Sequence, residues 1–199
     1  MISKFNIPDE IFKEFVKIVK DKSINHNEKL AGNIREEYLL NKYKKYFENF
    51  ILSQIARNDY LVNYLNNLNI FKPNPQKLML ESLWVNYQKK HEFNPVHNHD
   101  GVFSFIIFIQ IPYTIEEEKS KSPGVKSNTN CPGYLSFLYV DQNVGGGIAI
   151  ENIPVDKTWE RTGLIFKSSL HHTVYPFYSE GERITVSGNI FFDNEGLKQ

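Results

Sequence analysis

Six short apolar or alternating segments follow one another after Pro75, and they constrain the fold more than any other feature of the chain. Their sequences are LMLESLWVNYQKK, GVFSFIIFIQIPY, GYLSFLYV, GGIAIENI, TGLIFKSSL and ERITVSGNIFF. A period of two residues over such lengths is typical of β-strands, and this close succession is typical of an antiparallel sandwich or barrel. The sequence therefore predicts a mainly β unit over residues 76–199.

The first 75 residues show a helical period instead. The segment PDEIFKEFVKIVKD repeats apolar residues three or four apart after the start signals Pro8 and Asp9. A second helical pattern runs from about Ile34 to Ile55, and YLVNYLNNLNIF predicts a third helix that KPNP ends. We expect residues 1–75 to form a helical region packed on the β unit, so that the two make one compact body. We interpret the aromatic residues of the helical region as packing surface.

The polar stretch TIEEEKSKSPGVKSNTN separates two predicted strands and shows no period of its own. Pro, Gly and Ser in such a stretch favour a mobile loop. Whether this loop covers a site or is inert is left open.

Charge and cysteine content narrow the function classes. Lys plus Arg equals Asp plus Glu at 23 each, so no basic surface predicts a nucleic-acid partner. A lone Cys131 cannot form an internal disulfide, which favours a reducing cytoplasm, and no apolar run approaches the length of a bilayer span. We expect a cytoplasmic, soluble protein. Its oligomeric state is left open, with a homodimer as one option.

Four of the six histidines lie in two short segments, NPVHNHDG and LHHTVYPF. On an extended strand His97 and His99 project from the same face, and two adjacent imidazoles suit a transition metal. Asp100 is adjacent, and a turn at Gly101 could instead swing its carboxylate inward. The adjacent pair His171 and His172 lies on opposite faces, so at most one of them can supply a ligand from this remote segment.

The last predicted strand carries polar residues on one face, namely Arg183, Thr185, Ser187 and Asn189. If this face lines the interior, it forms a polar channel with a guanidinium at its mouth. Arginine pairs with a carboxylate through two parallel hydrogen bonds, and a hydroxyl two residues along could support the same anion.

The spacing between these segments resembles a known arrangement. Ten residues separate His172 from Arg183, and Thr185 follows, as in the His-x10-Arg-x-Ser/Thr pattern of the Fe(II)/2-oxoglutarate-dependent oxygenases. Residues 78–193 are similar to the oxygenases of this kind found in bacteria and bacteriophages, through the pieces LWVNYQKK, NPVHNHDGVFSFIIFI, HTVYPF and ERITVSGN. The resemblance implies a double-stranded β-helix, or jelly roll, with the N-terminal helices packed on it.

The same resemblance implies the site. Fe(II) would be bound by His97, His99 and His172, and 2-oxoglutarate by Arg183 with Thr185 as a hydrogen-bond donor. Tyr87, or its neighbour Asn86, is predicted to line the pocket for 2-oxoglutarate. The enzyme would then be a hydroxylase-type dioxygenase that converts 2-oxoglutarate to succinate and CO₂ as it oxidises a C–H bond.

The chain departs from the family at one ligand. The usual triad is His-x-Asp/Glu…His, and His99 occupies the carboxylate position. Two ligand sets are therefore open, one with three histidines and one in which Asp100 supplies the carboxylate. We favour the three histidines, because residues two apart on a strand share a face without a bulge.

Two alternatives belong to other functional classes. One is a cupin-like metalloprotein, although the Glu and Asn that cupins place near their histidines are absent from the matching positions. The other is an inactive jelly-roll protein, such as a virion component or a carbohydrate-binding module. The substrate is open among protein residues such as proline, small molecules and nucleobases.

Overall fold

Two antiparallel sheets and four α-helices make up the described part of the chain, which in this computed structural model is residues 2–68, 77–141 and 145–193. The helices are α1 (Asp9–Ile18), α2 (Lys44–Ala56), α3 (Asp59–Leu68) and α4 (Ile115–Lys121). The strands are β1 (Ile2–Asn6), β2 (Glu37–Leu39), β3 (Leu78–Gln88), β4 (Asn94–His97), β5 (Phe103–Gln110), β6 (Leu135–Asp141), β7 (Gly147–Ile153), β8 (Thr162–Lys167), β9 (His171–Val174) and β10 (Arg183–Phe192).

The strand order defines a major and a minor sheet. The major sheet has the order β1-β8-β5-β10-β3-β2, and the minor sheet has the order β4-β9-β6-β7. From β3 to β10 the chain passes repeatedly between the two sheets, which is the winding of a jelly roll. All six predicted strands are present, and the predicted mainly β, jelly-roll fold class is confirmed.

The major sheet is buried on both faces, which explains why β5 is apolar almost without interruption. Alternate residues such as Phe103 and Phe105 belong to a core under the helices, whereas Ile106 and Phe108 belong to a second core between the sheets. In the first core Phe15 of α1 stacks on Phe47 of α2, with ring centroids 4.1 Å apart. The N-terminal helices therefore cover the outer face and leave the inner face to the site.

The N-terminal region contributes strands that the helical prediction did not contain. β1 pairs with β8 and β2 pairs with β3, so this region forms both edges of the major sheet. The second predicted helix begins at Lys44 and not near Ile34, because residues 37–39 pair with β3 instead. A three-residue strand is too short to show a period, and its pairing partner lies far along the chain. The end of the third predicted helix, KPNP and the 75/76 boundary lie outside the described residues.

The polar stretch after β5 contains a helix, so its prediction as a mobile loop is wrong over α4. Thr114 and Glu117 form a reciprocal capping box at the start of α4, and the Thr-x-x-Glu spacing was a readable signal. The buried Glu118 carboxylate accepts the backbone N–H groups of Tyr178 and Ser179 at 2.6 and 3.0 Å. This contact ties α4 to the segment between β9 and β10. Among the described helices, none is long and apolar enough to cross a bilayer.

Candidate metal centre and cosubstrate pocket

Three histidines converge where the minor sheet faces the major one. His97 of β4 is directly opposite His172 of β9, with ring centroids 4.3 Å apart. His99 follows β4, and its backbone N–H donates to the Ser168 carbonyl at 2.9 Å. One ligand nitrogen from each of the three side chains lies within 4.8 Å of the others. The structure thus brings together the three residues of the preferred ligand set.

Backbone carbonyls orient two of the three rings. Nδ1 of His97 lies 2.8 Å from the Pro95 carbonyl, and Nδ1 of His172 lies 3.0 Å from the Leu170 carbonyl. Because a carbonyl only accepts, each Nδ1 carries the proton and donates it, which leaves Nε2 free for a metal.

The same histidines are held in the neutral form that binds metals. Burial, followed by the neighbouring His97, lowers the pKa of His99 to about 4 and that of His172 to about 3. Burial also lowers the pKa of His97, partly opposed by its bond to Pro95. Three neutral imidazoles fit Fe(II) among other first-row metals.

The two neighbouring candidates point elsewhere. His171 is exposed, as its position on the opposite face of β9 requires. Asp100 is exposed too and is absent from the cluster of metal-ligand groups found among the described residues. The irregularity in β4 lies between Asn94 and His97, upstream of the position that would turn Asp100 inward. The positive φ of Gly101 then starts the return into β5.

Arg183 lies inside the molecule and not at a mouth. Its side chain is 1% exposed, and Nη1 donates to the Gly133 carbonyl at 2.9 Å, with the Tyr113 hydroxyl 3.4 Å away. Nη2 is buried and has no hydrogen-bond partner among the described residues. A buried guanidinium that is held on one side and unpaired on the other fits a carboxylate ligand. Tyr113 and Gly133 bracket the α4 segment, which sequence reasoning did not connect with this arginine.

Thr185 and Asn86 lie beside the arginine. They are opposite each other in β10 and β3, and the Asn86 amide donates to the Thr185 hydroxyl at 3.2 Å. Because the hydroxyl accepts this bond, its own proton is available for a ligand. Thr185, Asn86 and Ser187 line the same cavity as the three histidines and Arg183.

Tyr87 is not part of this cavity, and its prediction as a cosubstrate residue is wrong. Successive residues of a strand face opposite sides, so Asn86 and Gln88 line the cavity while Tyr87 points into the helical core. Its hydroxyl donates to the Val19 carbonyl at the end of α1. Asn86, its predicted alternative, is the residue that the structure brings to the pocket.

The N-terminal region supplies a wall of the cavity that the sequence did not reveal. Residues 30–32, Ile34 and Glu37 line it together with Asn94 at the start of β4. Glu37 is 1% exposed, and its burial, followed by the charge of Glu92, raises the pKa of its carboxyl group to about 8. No motif marks Glu37, because it lies in a polar segment that is buried only through tertiary contacts.

Comparisons with known proteins agree with this geometry. A family model described as "Putative 2OG-Fe(II) oxygenase" matches residues 82–189, more than half of the chain. That range contains His97, His99, His172, Arg183 and Thr185. No curated protein matches the sequence.

Solved structures with a similar fold share little sequence with this chain. A prolyl-4-hydroxylase from Pseudomonas putida has a TM-score of 0.52 and 13% identity over 96% of this chain and 92% of its own. A prolyl hydroxylase from Trichoplax adhaerens, in complex with a hypoxia inducible factor peptide, has a TM-score of 0.51 and 14% identity over 100% and 87%. HygX from Streptomyces hygroscopicus, with nickel, 2-oxoglutarate and hygromycin B bound, has a TM-score of 0.54 and 9% identity over 96% and 82%. At these identities the likeness concerns the fold.

Proposed function

Since this chain belongs to the 2OG-Fe(II) oxygenase family, we propose that it is a hydroxylase whose iron is held by His97, His99 and His172. Its cofactors are Fe(II) and 2-oxoglutarate. We further propose that one 2-oxoglutarate is converted to succinate and CO₂ for each C–H bond oxidised, in a protein residue or a small molecule. The family match supports this function over the cupin-like and inactive alternatives. The cytoplasmic location stays a prediction.

In this proposal the imidazoles of His97, His99 and His172 would hold the metal. The carbonyls of Pro95 and Leu170 hold the rings of His97 and His172 so that Nε2 faces the ligand position. Depressed pKa values keep His99 and His172 unprotonated at neutral pH, so no proton has to leave before the metal binds. The bound iron and 2-oxoglutarate together supply the redox chemistry, while the protein orients and shields the reactants.

The arginine end binds the cosubstrate. Nη2 of Arg183, without a partner in the described structure, would donate to the distal carboxylate of 2-oxoglutarate, and the Thr185 hydroxyl would donate to the same group. Leu135, Phe166 and Val174 line the cavity and exclude water, which strengthens the charge-assisted bonds. The unpaired buried Nη2 in the cavity of the three histidines is the observation that carries the proposal.

The test is an anaerobic titration with Fe(II) and then 2-oxoglutarate, followed by visible absorption. We expect the weak metal-to-ligand charge-transfer band of the ternary complex in the wild type and its loss in His172→Ala. His171→Ala is the matched control, because it removes the adjacent exposed imidazole and should leave the band unchanged. Folded, iron-loaded wild-type protein that gives no band on addition of 2-oxoglutarate would overturn the proposal.

A further inference from the structure

Glu37 lies at the far end of a row of side chains that starts at Thr185. Thr185 is opposite Asn86, and Asn86 is opposite Glu37, so one residue from each of β10, β3 and β2 faces the cavity at the same level. Neighbouring strands are about 4.8 Å apart, which places the Glu37 backbone about 10 Å from that of Thr185. An anion held by Arg183 and Thr185 is therefore separated from Glu37 by Asn86.

Few polar contacts offset the burial of the Glu37 carboxylate. Asn27 donates to Oε2 at a long 3.3 Å, and the ion pairs of the described residues do not include Glu37. Arg183 is the one Lys or Arg among the described residues that line this cavity, and it is engaged at the other end of the row. A buried carboxyl group without a nearby cation is either protonated or is stabilised as a carboxylate when a ligand supplies the cation.

A second acceptor lies beside it. Oδ1 of Asn94 is buried and has no hydrogen-bond partner among the described residues. A Cβ atom added to Gly32 would lie within 3.0 Å of this oxygen and of Oε1 of Glu37. The two oxygens are thus close enough for one ligand group to reach both, and a side chain at position 32 would crowd them.

We propose that Glu37 and Asn94 form the recognition site for a basic nitrogen of the substrate, an amine or a guanidinium. This inference rests on the proposed oxygenase function and names the substrate class for the same cavity. A cationic group with several N–H donors neutralises the carboxylate and satisfies the unpaired amide oxygen together. A neutral single donor would leave one of the two acceptors unsatisfied.

The position of the site defines the shape of the substrate. Asn94 and His97 are opposite Val174 and His172, which are two residues apart on β9, so they are separated by about 7 Å along the strand direction. The basic nitrogen would then lie several bonds from the carbon that is oxidised. The substrate class is therefore an amine or guanidine on an extended aliphatic chain, free or as a side chain of a peptide.

The experiment compares charged probes with their neutral partners on the protein loaded with Fe(II) and 2-oxoglutarate. The pairs are spermidine with triacetylspermidine, Nα-acetyl-lysine amide with its Nε-acetyl derivative, and Nα-acetyl-arginine amide with the citrulline analogue. Succinate formation is measured as a function of probe concentration. We expect at least one charged probe to stimulate turnover about tenfold more than its partner.

The variants test the residues. Glu37→Gln keeps the size of the side chain and should raise the half-saturating concentration of the charged probe about tenfold or more. Glu36→Gln is the matched control, since Glu36 pairs with Lys22 and Lys89 outside the cavity. Asn94→Ala is a second, independent variant that should weaken the same probe in case Glu37→Gln does not fold.

Two results would overturn the recognition site. One is the absence of any charged probe that acts better than its neutral partner at millimolar concentration. The other is an unchanged response in folded Glu37→Gln. The charge-transfer band with 2-oxoglutarate is recorded for each variant, so that failure of the oxygenase function, seen as a missing wild-type band, is distinguished from failure of amine recognition.

Discussion

The two ends of the cavity are built from different parts of the sheet. The arginine end lies on β10, which pairs with β3 and β5 along most of its length. The Glu37 end lies on β2, an edge strand that pairs with β3 over three residues and continues from a loop. The cosubstrate end thus rests on a central strand that is paired on both sides, whereas the end assigned to recognition rests on an edge strand that is paired on one side.

The two ends also have opposite signs. Among the described residues, Nη2 of the buried Arg183 has no hydrogen-bond partner, and the buried Glu37 carboxyl group forms no ion pair with a cation. Since an unsatisfied buried polar group costs free energy, both ends favour ligands of complementary charge. The comparison predicts separate losses of function when the arginine end, the Glu37 end or the metal ligands are altered.

The largest effect is expected at the metal ligands. His99→Ala removes one of three imidazoles, and we expect Fe(II) affinity to fall about 100-fold or more. Asp100→Asn is the control, and it should change the affinity less than about twofold because Asp100 is exposed outside the cluster. Competition with a chelator measures both constants. A larger loss in Asp100→Asn than in His99→Ala would assign the carboxylate as the ligand instead.

The next effect isolates the arginine end. Arg183→Lys keeps the charge but loses the planar fork, and we expect 2-oxoglutarate to bind about 100-fold more weakly while Fe(II) affinity is retained. Arg57→Ala, at an exposed position after α2, should leave both affinities unchanged. Anaerobic titrations give the two constants separately. Equal weakening of metal and 2-oxoglutarate would contradict the separation of the two ends.

The smallest effect concerns stability at the Glu37 end. The pKa of this carboxyl group is raised from 4.5 to about 8 in the folded state. Between these two pH values the folded protein therefore holds a proton that the unfolded chain has released. The contribution of Glu37 to the free energy of unfolding is therefore fully present below about pH 4.5 and is lost as the pH rises through about 8. Glutamine resembles the protonated acid and avoids the loss.

Thermal unfolding of Glu37→Gln without ligand checks this sign. We expect its melting temperature to match that of the wild type near pH 5 and to exceed it by about 5 °C near pH 9. Glu36→Gln should show no such gain, since the pKa of Glu36 is lowered to about 2 by Lys22 and Lys89. A difference between Glu37→Gln and the wild type that does not change with pH would show that Glu37 is ionised in the fold.

Prediction from sequence succeeded for residues whose position depends on the alternation within a single strand. Each strand after residue 77 carries its own alternation, so the pattern alone assigns Thr185 and Arg183 to one face of their strand. The same rule assigns Asn86 and Tyr87 to opposite faces, but it does not say which face is interior. Burial on both sides of the major sheet removed the usual polar signal, and Tyr87 was chosen wrongly.

By itself, the sequence determined a mainly β fold, because alternation is a property of the local chain, and its resemblance to the oxygenase family implied the jelly-roll class and the pairing of a histidine cluster with an arginine. Only the tertiary structure decided that His99 joins His97 and His172 while Asp100 stays outside. It also buried Arg183 with one guanidinium nitrogen unpaired within the described part of the chain. It alone brought Glu37 into the cavity, because β2 is three residues long and meets its partner strand across about 50 residues. Long-range pairing, which no local pattern encodes, placed these groups together.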